Sequence, residues 1–346
     1  MRYSRVHLES IGYELAPNVV HSSALEQRLD SVYEAMNVPS GQIEMLTGVR
    51  ERRYWNPGQT MADGAARAGR KAIEDANIST ADIEMLIYGG VCRDNLEPAT
   101  ACAVADILGI RGHVVMHDLS NACLGVMNGI FHVANAIEMG QIRAGLVVSC
   151  ESAQQIVDLT IERMQHRCDM PTFRESMVTM TGGSGASAVL LCDASFGGRG
   201  HRVVGGVVRS APEHHKLGRW GPDSGVPTSG PQVMVTDAVG TLEHGVALGA
   251  KTYRDFLPEV GWNGTGPDKV ICHQVGAGHR IAVLKALGVE IERDFPTFAY
   301  LGNIGTASLP ITAAIAAERG FLEHGHRVGF FGIGSGLNCL LLALEW

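Results

Sequence analysis

The chain has 346 residues, of which 45% are hydrophobic and 18% charged, and its formal net charge is −8. This composition provides for a large buried core, and the negative charge argues against nucleic acid as a main partner. The first residues carry scattered charges and lack the apolar core of a signal peptide, and no stretch of about 18 apolar residues predicts a membrane span. With eight cysteines and no CxxC pair, we expect free thiols in the cytoplasm and no metal site.

Short apolar strands alternate with amphipathic helices, and this pattern occurs twice, with an offset of about 180 residues. DIEMLIYGG followed by TACAVADILGI in the first half corresponds to PDKVICHQV followed by GHRIAVLKALGV in the second. Further on, NACLGVMNGIFHVANAIEMG corresponds to GNIGTASLPITAAIAAERG, each a turn of small residues followed by a long helix. Strand–helix alternation predicts parallel sheets covered by helices, so two copies predict a pseudo-twofold α/β molecule.

Two segments interrupt the repeat. The pattern over residues 153–182 predicts an inserted helical segment, IVDLTIERMQHRC. Residues 195–235 are rich in glycine, proline and basic residues, which predicts strands and loops. We therefore predict an N-terminal half at 1–182, which includes the insertion, and a C-terminal half at 183–346.

Three residues stand out when the two halves are compared. Cys123 lies at the turn-to-helix junction of the first half, and Asn303 lies at the matching junction of the second. His273 ends the first strand of the second half, where the first half has only glycine. Because strand ends of open α/β sheets face the ligand crevice, a thiol, an imidazole and a carboxamide are predicted to converge there.

Each of the three side chains suits acyl transfer. A helix N-terminus near Cys123 favours the thiolate and predicts a lowered pKa for its thiol. His273 can donate to an oxyanion or exchange a proton, and Asn303 can donate N–H bonds to an enolate oxygen without titrating. The alternatives are a small core residue for Cys123, a buried structural imidazole for His273 and a helix N-cap for Asn303.

The sequence GIGSGLN (332–338) follows a buried strand near the end of the chain. It lacks the Lys-Ser/Thr pair of a phosphate-binding loop, and no helix-forming run follows it. Its glycines would let the backbone approach a bound thioester closely, although a tight structural turn is an equally simple explanation.

Basic residues cluster between positions 199 and 219, with only one acidic residue among them. In an acidic protein, this cluster predicts a patch that faces the phosphates of coenzyme A or phosphopantetheine. A solvated loop is the alternative. The basic residues of the cluster are Arg199, Arg202, Arg209, Lys216 and Arg219. Of these, Arg209, Lys216 and Arg219 are the candidate substrate-binding residues.

Together these motifs resemble the ketoacyl-ACP synthase III branch of the thiolase superfamily, over essentially the whole chain. The matching segments are TGVRERR (47–53), NACLG (121–125), ICHQV (271–275), GNIGTAS (302–308) and GIGSGLN (332–338). The resemblance implies a thiolase fold, in which two βαβαβ halves form a five-layer α-β-α-β-α sandwich. It also implies that Cys123 is acylated, that His273 and Asn303 polarise a second thioester, and that the backbone N–H groups of Cys123 and Ser335 form the oxyanion hole.

Within this branch the chain is similar to the OleA-type synthases, which start long-chain olefin biosynthesis. The similarity rests on RDNLEPATA (93–101), RRYW (52–55), GGVVRSAPEHHKL (205–217) and the ending GIGSGLNC with Trp346. It implies a cofactor-free homodimer that joins two fatty acyl-CoA molecules by non-decarboxylative Claisen condensation and releases a 2-alkyl-3-keto acid. In such enzymes the glutamate that matches Glu97 reaches the partner subunit's active site.

The chemistry gives Glu97 an independent rationale. A plain acyl thioester must lose a Cα proton, whereas a malonyl unit forms its carbanion by losing carbon dioxide. A carboxylate desolvated in an apolar crevice has a raised pKa and is a better base. Without the resemblance, Glu97 would be interpreted as a surface residue before Pro98.

Other functions remain open at this point. The Trp and Arg that hold the adenine of coenzyme A in the fatty-acid-initiating synthases correspond to Gln42 and Leu46, HQAN becomes HQVG with Gly276, and GNTS becomes GNIG. These departures argue against malonyl-ACP specificity, but a decarboxylative synthase that uses malonyl- or ketoacyl-ACP stays the first alternative. A Cys-dependent acyltransferase to an alcohol or amine is the second, and a catalytically silent partner subunit is the third.

Overall fold

The computed structural model describes residues 1–196, 200–222 and 231–346. Its strands are β1 (Val6–Leu15), β2 (Asn18–His21), β3 (Glu51–Tyr54), β4 (Met85–Tyr88), β5 (Val115–Asp118), β6 (Ala144–Glu151), β7 (Gly185–Asp193), β8 (His201–Ser210), β9 (Gly218–Pro222), β10 (Gln232–Thr236), β11 (Lys269–Cys272), β12 (Arg327–Gly334) and β13 (Asn338–Glu345). Its helices are α1 (Ser22–Gln27), α2 (Asp30–Met36), α3 (Gln42–Thr47), α4 (Met61–Ala76), α5 (Thr100–Leu108), α6 (Gly125–Glu138), α7 (Gln154–Arg167), α8 (Met170–Ser176), α9 (Ala238–Glu259), α10 (Ala277–Leu287), α11 (Phe298–Leu301) and α12 (Ser308–Glu318). Across these three ranges, no helix combines the length and apolar character that crossing a bilayer requires.

Both halves build a sheet with the same strand order. In the first half the order is β5-β4-β6-β7-β1. If the strands of this sheet are numbered along the chain, leaving out β2 and β3, which pair separately, the order is 3-2-4-5-1. In the second half the order is β11-β12-β13-β8, and a parallel bridge between Val270 and Asp294 adds a minimal third strand beside β11. The two orders are identical, which confirms the duplication that the sequence repeat predicts.

The pairing of β7 locates the end of the first half. It runs antiparallel to β1 on one side and to β6 on the other, so Gly185–Asp193 belongs to the first sheet. The boundary predicted between 182 and 183 falls just before this strand, and the strand order moves it to after Asp193. The two sheets then meet where β1 pairs with β8 at His7 and Leu8.

Five layers follow from how side chains alternate along the strands. Ile87 of β4 and Leu340 of β13 belong to a central core that also contains buried residues of α6 and α12. Leu86, the neighbour of Ile87, packs in the core beneath α4 and α5, and Leu341 packs beneath α9 and α10. Because successive side chains of a strand point to opposite faces, each sheet lies between two helical layers. The predicted α-β-α-β-α sandwich is thus confirmed.

The predicted helical insertion is present as α7 and α8. A separate core joins these helices to the N-terminal helices, with Val157, Ile161 and Phe173 among its buried residues. The predicted strands between 195 and 235 include β9 and β10, which pair with each other in a small sheet of their own. The insertion and this hairpin extend the molecule beyond the two repeated halves, next to the crevice between them.

Two glycines let the start of α6 approach the end of β4. A Cβ on Gly125 would lie 2.6 Å from the carbonyl oxygen of Gly89, and a Cβ on Gly89 would lie 2.7 Å from the carbonyl carbon of Gly125. No side chain fits between the two backbones. This contact fixes the first turn of α6, which begins two residues after Cys123.

We expect Gly125→Ala to lower the free energy of unfolding by about 1–3 kcal/mol, because the added methyl group forces the helix away from β4. Urea denaturation of the two proteins measures the difference. Gly278→Ala on α10 is the matched control, since a Cβ there meets nothing within 4 Å, and it should cause no loss. Equal stability of the Gly125→Ala variant and the wild type would contradict the close contact.

Candidate active site

Cys123 lies in the turn between β5 and α6. The preceding residue, Ala122, has a φ of +46°. This left-handed conformation costs a residue with a Cβ about 1 kcal/mol, and it turns the chain sharply just before the thiol. The nucleophile candidate is therefore held by a strained turn followed directly by a buried helix.

The thiol borders a cavity of about 280 Å³. Asn303 and Ser335, both from the second half, line the same cavity, and so does Glu151 at the end of β6. Its apolar lining residues are Val91, Ala122, Ala153, Ile156, Val178, Trp220 and Met234. A thiol, a carboxamide and an apolar wall in one cavity suit the binding and transfer of an acyl chain.

The carboxamide of Asn303 is oriented by its own loop. Its Oδ1 accepts a hydrogen bond of 3.0 Å from the N–H of Gly305, and its backbone bonds to Thr181 and Gly183 on the insertion side of the crevice. This bond sets the orientation of the carboxamide, and Nδ2 offers its two N–H donors to a ligand. The residue is thus fixed as a hydrogen-bond donor.

His273 follows β11 and is buried. Its backbone N–H donates to Phe331 of β12, and its Nε2 has no hydrogen-bond partner among the described residues. Burial, followed by the neighbouring His279, lowers the pKa of His273 to about 3, so the imidazole is neutral at physiological pH. It borders a second, very small pocket with His279 and Cys272 rather than the larger cavity.

The end of β12 runs from one pocket to the other, since Ile333 lines the small pocket and Ser335, two residues further on, lines the larger cavity. The pairing of β11 with β12 places His273 beside Gly332, at the end where β12 approaches the nucleophile turn. A Cβ on Gly334 would lie 3.5 Å from the backbone nitrogen of Cys123 and 3.1 Å from Leu124. Glycine at this position therefore allows the second-half strand to pass directly over the thiol-bearing turn.

The pKa of the Cys123 thiol differs from the prediction. Burial and then the negative charge of Glu151 raise it to about 12, against the residue's own backbone N–H, which lowers it. Desolvation of the thiolate outweighs the field of the α6 N-terminus. The prediction of a lowered pKa was wrong, and the thiol is protonated in the resting site.

Glu151 is the site residue that the sequence analysis missed. It is 4% exposed, and burial raises its pKa to about 7. Its signal in the sequence was a single acidic residue at the end of the apolar strand AGLVVSCE. Nothing local showed that this carboxyl group faces the same cavity as Cys123.

Three asparagines join the nucleophile turn to the glycine-rich turn. Asn338 Nδ2 donates to Asn121 Oδ1 at 3.0 Å, and Asn121 Nδ2 donates to Asn128 Oδ1 at 2.7 Å. Asn121 is two residues before Cys123, and Asn338 is three residues after Ser335. The chain of carboxamides therefore fixes the two turns relative to each other.

Gly276, which the sequence left unexplained, is required by packing. A Cβ there would lie 2.7 Å from the carbonyl oxygen of Thr47 at the end of α3. Any other residue would displace α3 or the start of α10, because backbone atoms cannot move aside as a side chain does.

Most of the other predicted site residues that the structure describes lie outside the cavity. Glu97 is exposed, on the loop between β4 and α5. Arg209 pairs with Asp255 of α9, and Lys216 is exposed on the turn before β9. Arg202 pairs with Glu345, and Arg199 lies outside the described residues. Of the basic cluster, Arg219 lines the cavity.

A thiol at a strained turn, a neutral imidazole and a fixed carboxamide, on two copies of one α/β unit, define a thiolase-fold acyl-transfer enzyme. The thiolase N-terminal domain family matches residues 58–181, and the 3-oxoacyl-[acyl-carrier-protein] synthase III C-terminal family matches residues 257–346. An acyl-CoA:acyl-CoA alkyltransferase of Shewanella oneidensis is 50% identical, and one of Xanthomonas campestris is 34% identical, each over 100% of both chains. The chain belongs to this family, the OleA-type acyl-CoA:acyl-CoA alkyltransferases of the thiolase superfamily.

A solved structure extends the comparison to three dimensions. It shows a cysteine-to-serine variant of Xanthomonas campestris OleA with bound lauric acid and lauroyl-CoA. The present chain superimposes on it with a TM-score of 0.93 at 34% identity, over 99% of this chain and 100% of that one.

We expect Asn338→Ala to slow acyl transfer from a saturating acyl-CoA to Cys123 by about tenfold, because the glycine-rich turn loses its tie to the nucleophile turn. Mass spectrometry of the Cys123 peptide measures the rate. Asn135→Ala is the matched control: it removes a similar hydrogen bond, from Tyr3 to the far end of α6, and should leave the acylation rate unchanged. Equal rates in both variants would show that the asparagine chain has no role in the site.

Proposed function

We propose that this protein joins two fatty acyl-CoA molecules by a non-decarboxylative Claisen condensation and releases a 2-alkyl-3-keto acid. The observation that carries the proposal is the shared cavity, in which Cys123 and the oriented Asn303 lie beside an apolar wall. Two relatives are acyl-CoA:acyl-CoA alkyltransferases, and Xanthomonas OleA has been solved with bound lauroyl-CoA; both support acyl-CoA as the substrate. The reaction needs no redox or electron-sink group, so no cofactor is proposed.

In the first step, the sulfur of Cys123 attacks the carbonyl carbon of one acyl-CoA. A C–S bond to Cys123 forms, the bond to coenzyme A breaks, and the proton of the thiol leaves with coenzyme A. The tetrahedral intermediate carries an oxyanion, which the backbone N–H groups of Cys123 and Ser335 are placed to receive in this proposal. Arg219 at the cavity is the candidate contact for the phosphates of coenzyme A.

In the second step, another acyl-CoA loses a Cα proton and its carbon attacks the Cys123 thioester. Asn303 Nδ2 and the Nε2–H tautomer of neutral His273 would hydrogen-bond the developing enolate oxygen. The new C–C bond displaces Cys123, and hydrolysis of the remaining coenzyme A thioester releases the keto acid. Neither Asn303 nor His273 is a strong base, so another group takes the Cα proton.

We assign that role to Glu97 of the partner subunit. Its loop is held by two carboxylates: Asp94 accepts the N–H groups of Met61 and Ala62 at the start of α4, and Asp118 accepts those of Thr100 and Ala101 at the start of α5. Glu97 lies between these anchors and is exposed. A rigid, projecting loop is suited to carry a base into a neighbouring molecule.

The edge of the first sheet offers the surface for a homodimer. The edge strand β5 exposes 52% of Val115 and 36% of Met116, and Leu96, beside Glu97, is 85% exposed. An exposed apolar edge strand can pair with a strand of another chain. Asp118, the last residue of β5, also holds the end of the Glu97 loop, so the strand and the loop are neighbours. A second copy on β5 would bring Glu97 towards the partner's crevice.

We also propose that the protein acts in the cytoplasm. All eight cysteines are free thiols, and four of them, Cys150, Cys192, Cys272 and Cys339, are buried in the cores. Free thiols, among them the nucleophile Cys123, persist in a reducing compartment.

Glu97→Gln should still form the Cys123 acyl-enzyme but lose condensation of two acyl-CoA molecules by a factor of about 10² or more, because the amide cannot accept the Cα proton. Product analysis with acyl-CoA alone, and then with malonyl-CoA added, measures it. Glu34→Gln, another exposed glutamate, is the control. Wild-type condensation by the Glu97→Gln enzyme, or product from malonyl donors only, would favour the decarboxylative synthase.

Mixing Glu97→Gln with Cys123→Ser protein tests the exchange between subunits. Neither variant is active alone, yet a mixed dimer has one site with both Cys123 and the partner's intact glutamate. Random exchange should restore about a quarter of wild-type activity, since half of the dimers are mixed and each has one working site. No recovery after exchange would place the base within its own subunit.

Val115→Asp should convert the protein to a monomer, because a charge on β5 opposes strand pairing. Light scattering after size-exclusion chromatography gives the mass. Condensation should fall at least about 10²-fold, while acylation of Cys123 stays within a few-fold of wild type. Val19→Asp, on the exposed strand β2, should leave the dimer intact. A dimeric, fully active Val115→Asp protein would contradict this interface.

A further inference from the structure

Glu151 receives hydrogen bonds from two separate segments. Its Oε1 accepts the N–H of Val91 at 2.9 Å and its Oε2 accepts that of Cys92 at 3.1 Å, at the start of the loop that leads to Glu97. A further backbone N–H comes from Thr306, next to the Asn303 loop. These are donors to an ionised carboxylate, and no cation is among the main influences on it.

The Asn303 loop of the second half lies directly against this carboxyl group. A Cβ on Gly305 would lie in van der Waals contact with it, 3.4 Å from Glu151 Cδ and 3.5 Å from its Oε1. Gly305 has a φ of +53° and donates its N–H to Asn303. The same glycine therefore orients the carboxamide and lies beside Glu151, and all of them line the cavity that Cys123 lines.

The surrounding titratable groups differ from Glu151 in proton affinity. Burial raises the pKa of Tyr88 and Cys92, from the β4 side, well above their ordinary values, and it raises that of Cys150 on β6 in the same way. The Asn303 loop contributes no ionisable side chain between 302 and 308. Among the described groups named here, Glu151 alone changes charge near neutral pH.

Acylation of Cys123 requires a proton acceptor. With a thiol pKa of about 12, the thiolate fraction at pH 7 is about 10⁻⁵, which is too small for the unaided thiolate to support rapid acylation. His273, with a pKa of about 3, is a weak base, whereas a carboxylate with a pKa of about 7 is well matched to the task.

We propose that the Glu151 carboxylate, directly or through one water molecule, accepts the Cys123 proton during attack on the first acyl-CoA and returns it to the departing coenzyme A thiolate. The Cys123–acyl bond forms as the acyl–coenzyme A bond breaks, and one proton passes from sulfur to Glu151 and then to coenzyme A. Glu151 thus serves acylation within its own subunit, whereas Glu97 serves condensation in its neighbour. This inference rests on the proposed function.

The test is the pH dependence of single-turnover acylation, with enzyme in excess over lauroyl-CoA and the Cys123 adduct measured by quenched-flow mass spectrometry. The wild-type rate should rise with pH, level off above about pH 7, and be about 10²-fold faster at pH 7.5 than that of Glu151→Gln. The Gln variant should show no plateau near neutrality and should continue to accelerate above pH 9, as the thiolate forms unaided. Glu151→Asp keeps a carboxylate and should keep the plateau at a reduced rate.

Glu26→Gln is the matched control, because Glu26 is also a buried carboxylate that accepts backbone N–H groups, from Gly41 and Ile43, away from the cavity. Its pH profile should match the wild type. A Glu151→Gln enzyme within twofold of wild type, or with an unchanged plateau, would overturn the proposal. If the variant does not fold, the wild-type profile decides: a rate that rises only in the thiol range above pH 9 excludes Glu151. An absence of any Cys123 adduct in the wild type would instead refute the proposed function.

Discussion

One hydrogen bond between the two halves holds the reactive turns together. The N–H of Val126, in the first turn of α6, donates to the hydroxyl of Thr306 at 2.7 Å, across 180 residues of sequence. One group follows Cys123 and the other follows Asn303, so the bond joins equivalent positions of the repeat. A helix start normally leaves its first N–H groups unsatisfied, and here one of them is used to align the second half. The cavity lies between the two segments that this bond joins, and the backbone N–H of Thr306 donates to Glu151.

Much of the architecture could be predicted because local sequence patterns indicate it. The strand–helix alternation and its repetition identified both halves, and comparison of the halves located Cys123 and Asn303. The limit between the halves was less predictable, because β7 pairs with β1, far away in sequence, and the inserted helices separate it from its other partner, β6. The sequence alone does not state which sheet a strand joins.

The electrostatics of the site could not be predicted in the same way. The field of α6 on Cys123 is a local property, but the desolvation that outweighs it depends on segments from both halves. For the same reason the sequence did not indicate Glu151 as a site residue. Arg209 was likewise assigned to a basic patch, although Asp255 of α9 neutralises its charge. Charges interact through space, so their effects become visible only after the fold is known.

The chain of Asn128, Asn121 and Asn338 has a consequence for how the enzyme responds to its surroundings. Carboxamides do not titrate, so the hydrogen bonds that hold the nucleophile turn do not change with pH. A change in cellular pH would therefore change the protonation state of a few groups without changing the shape of the site around them. The rate of such a site would vary with pH, while its substrate specificity would stay the same.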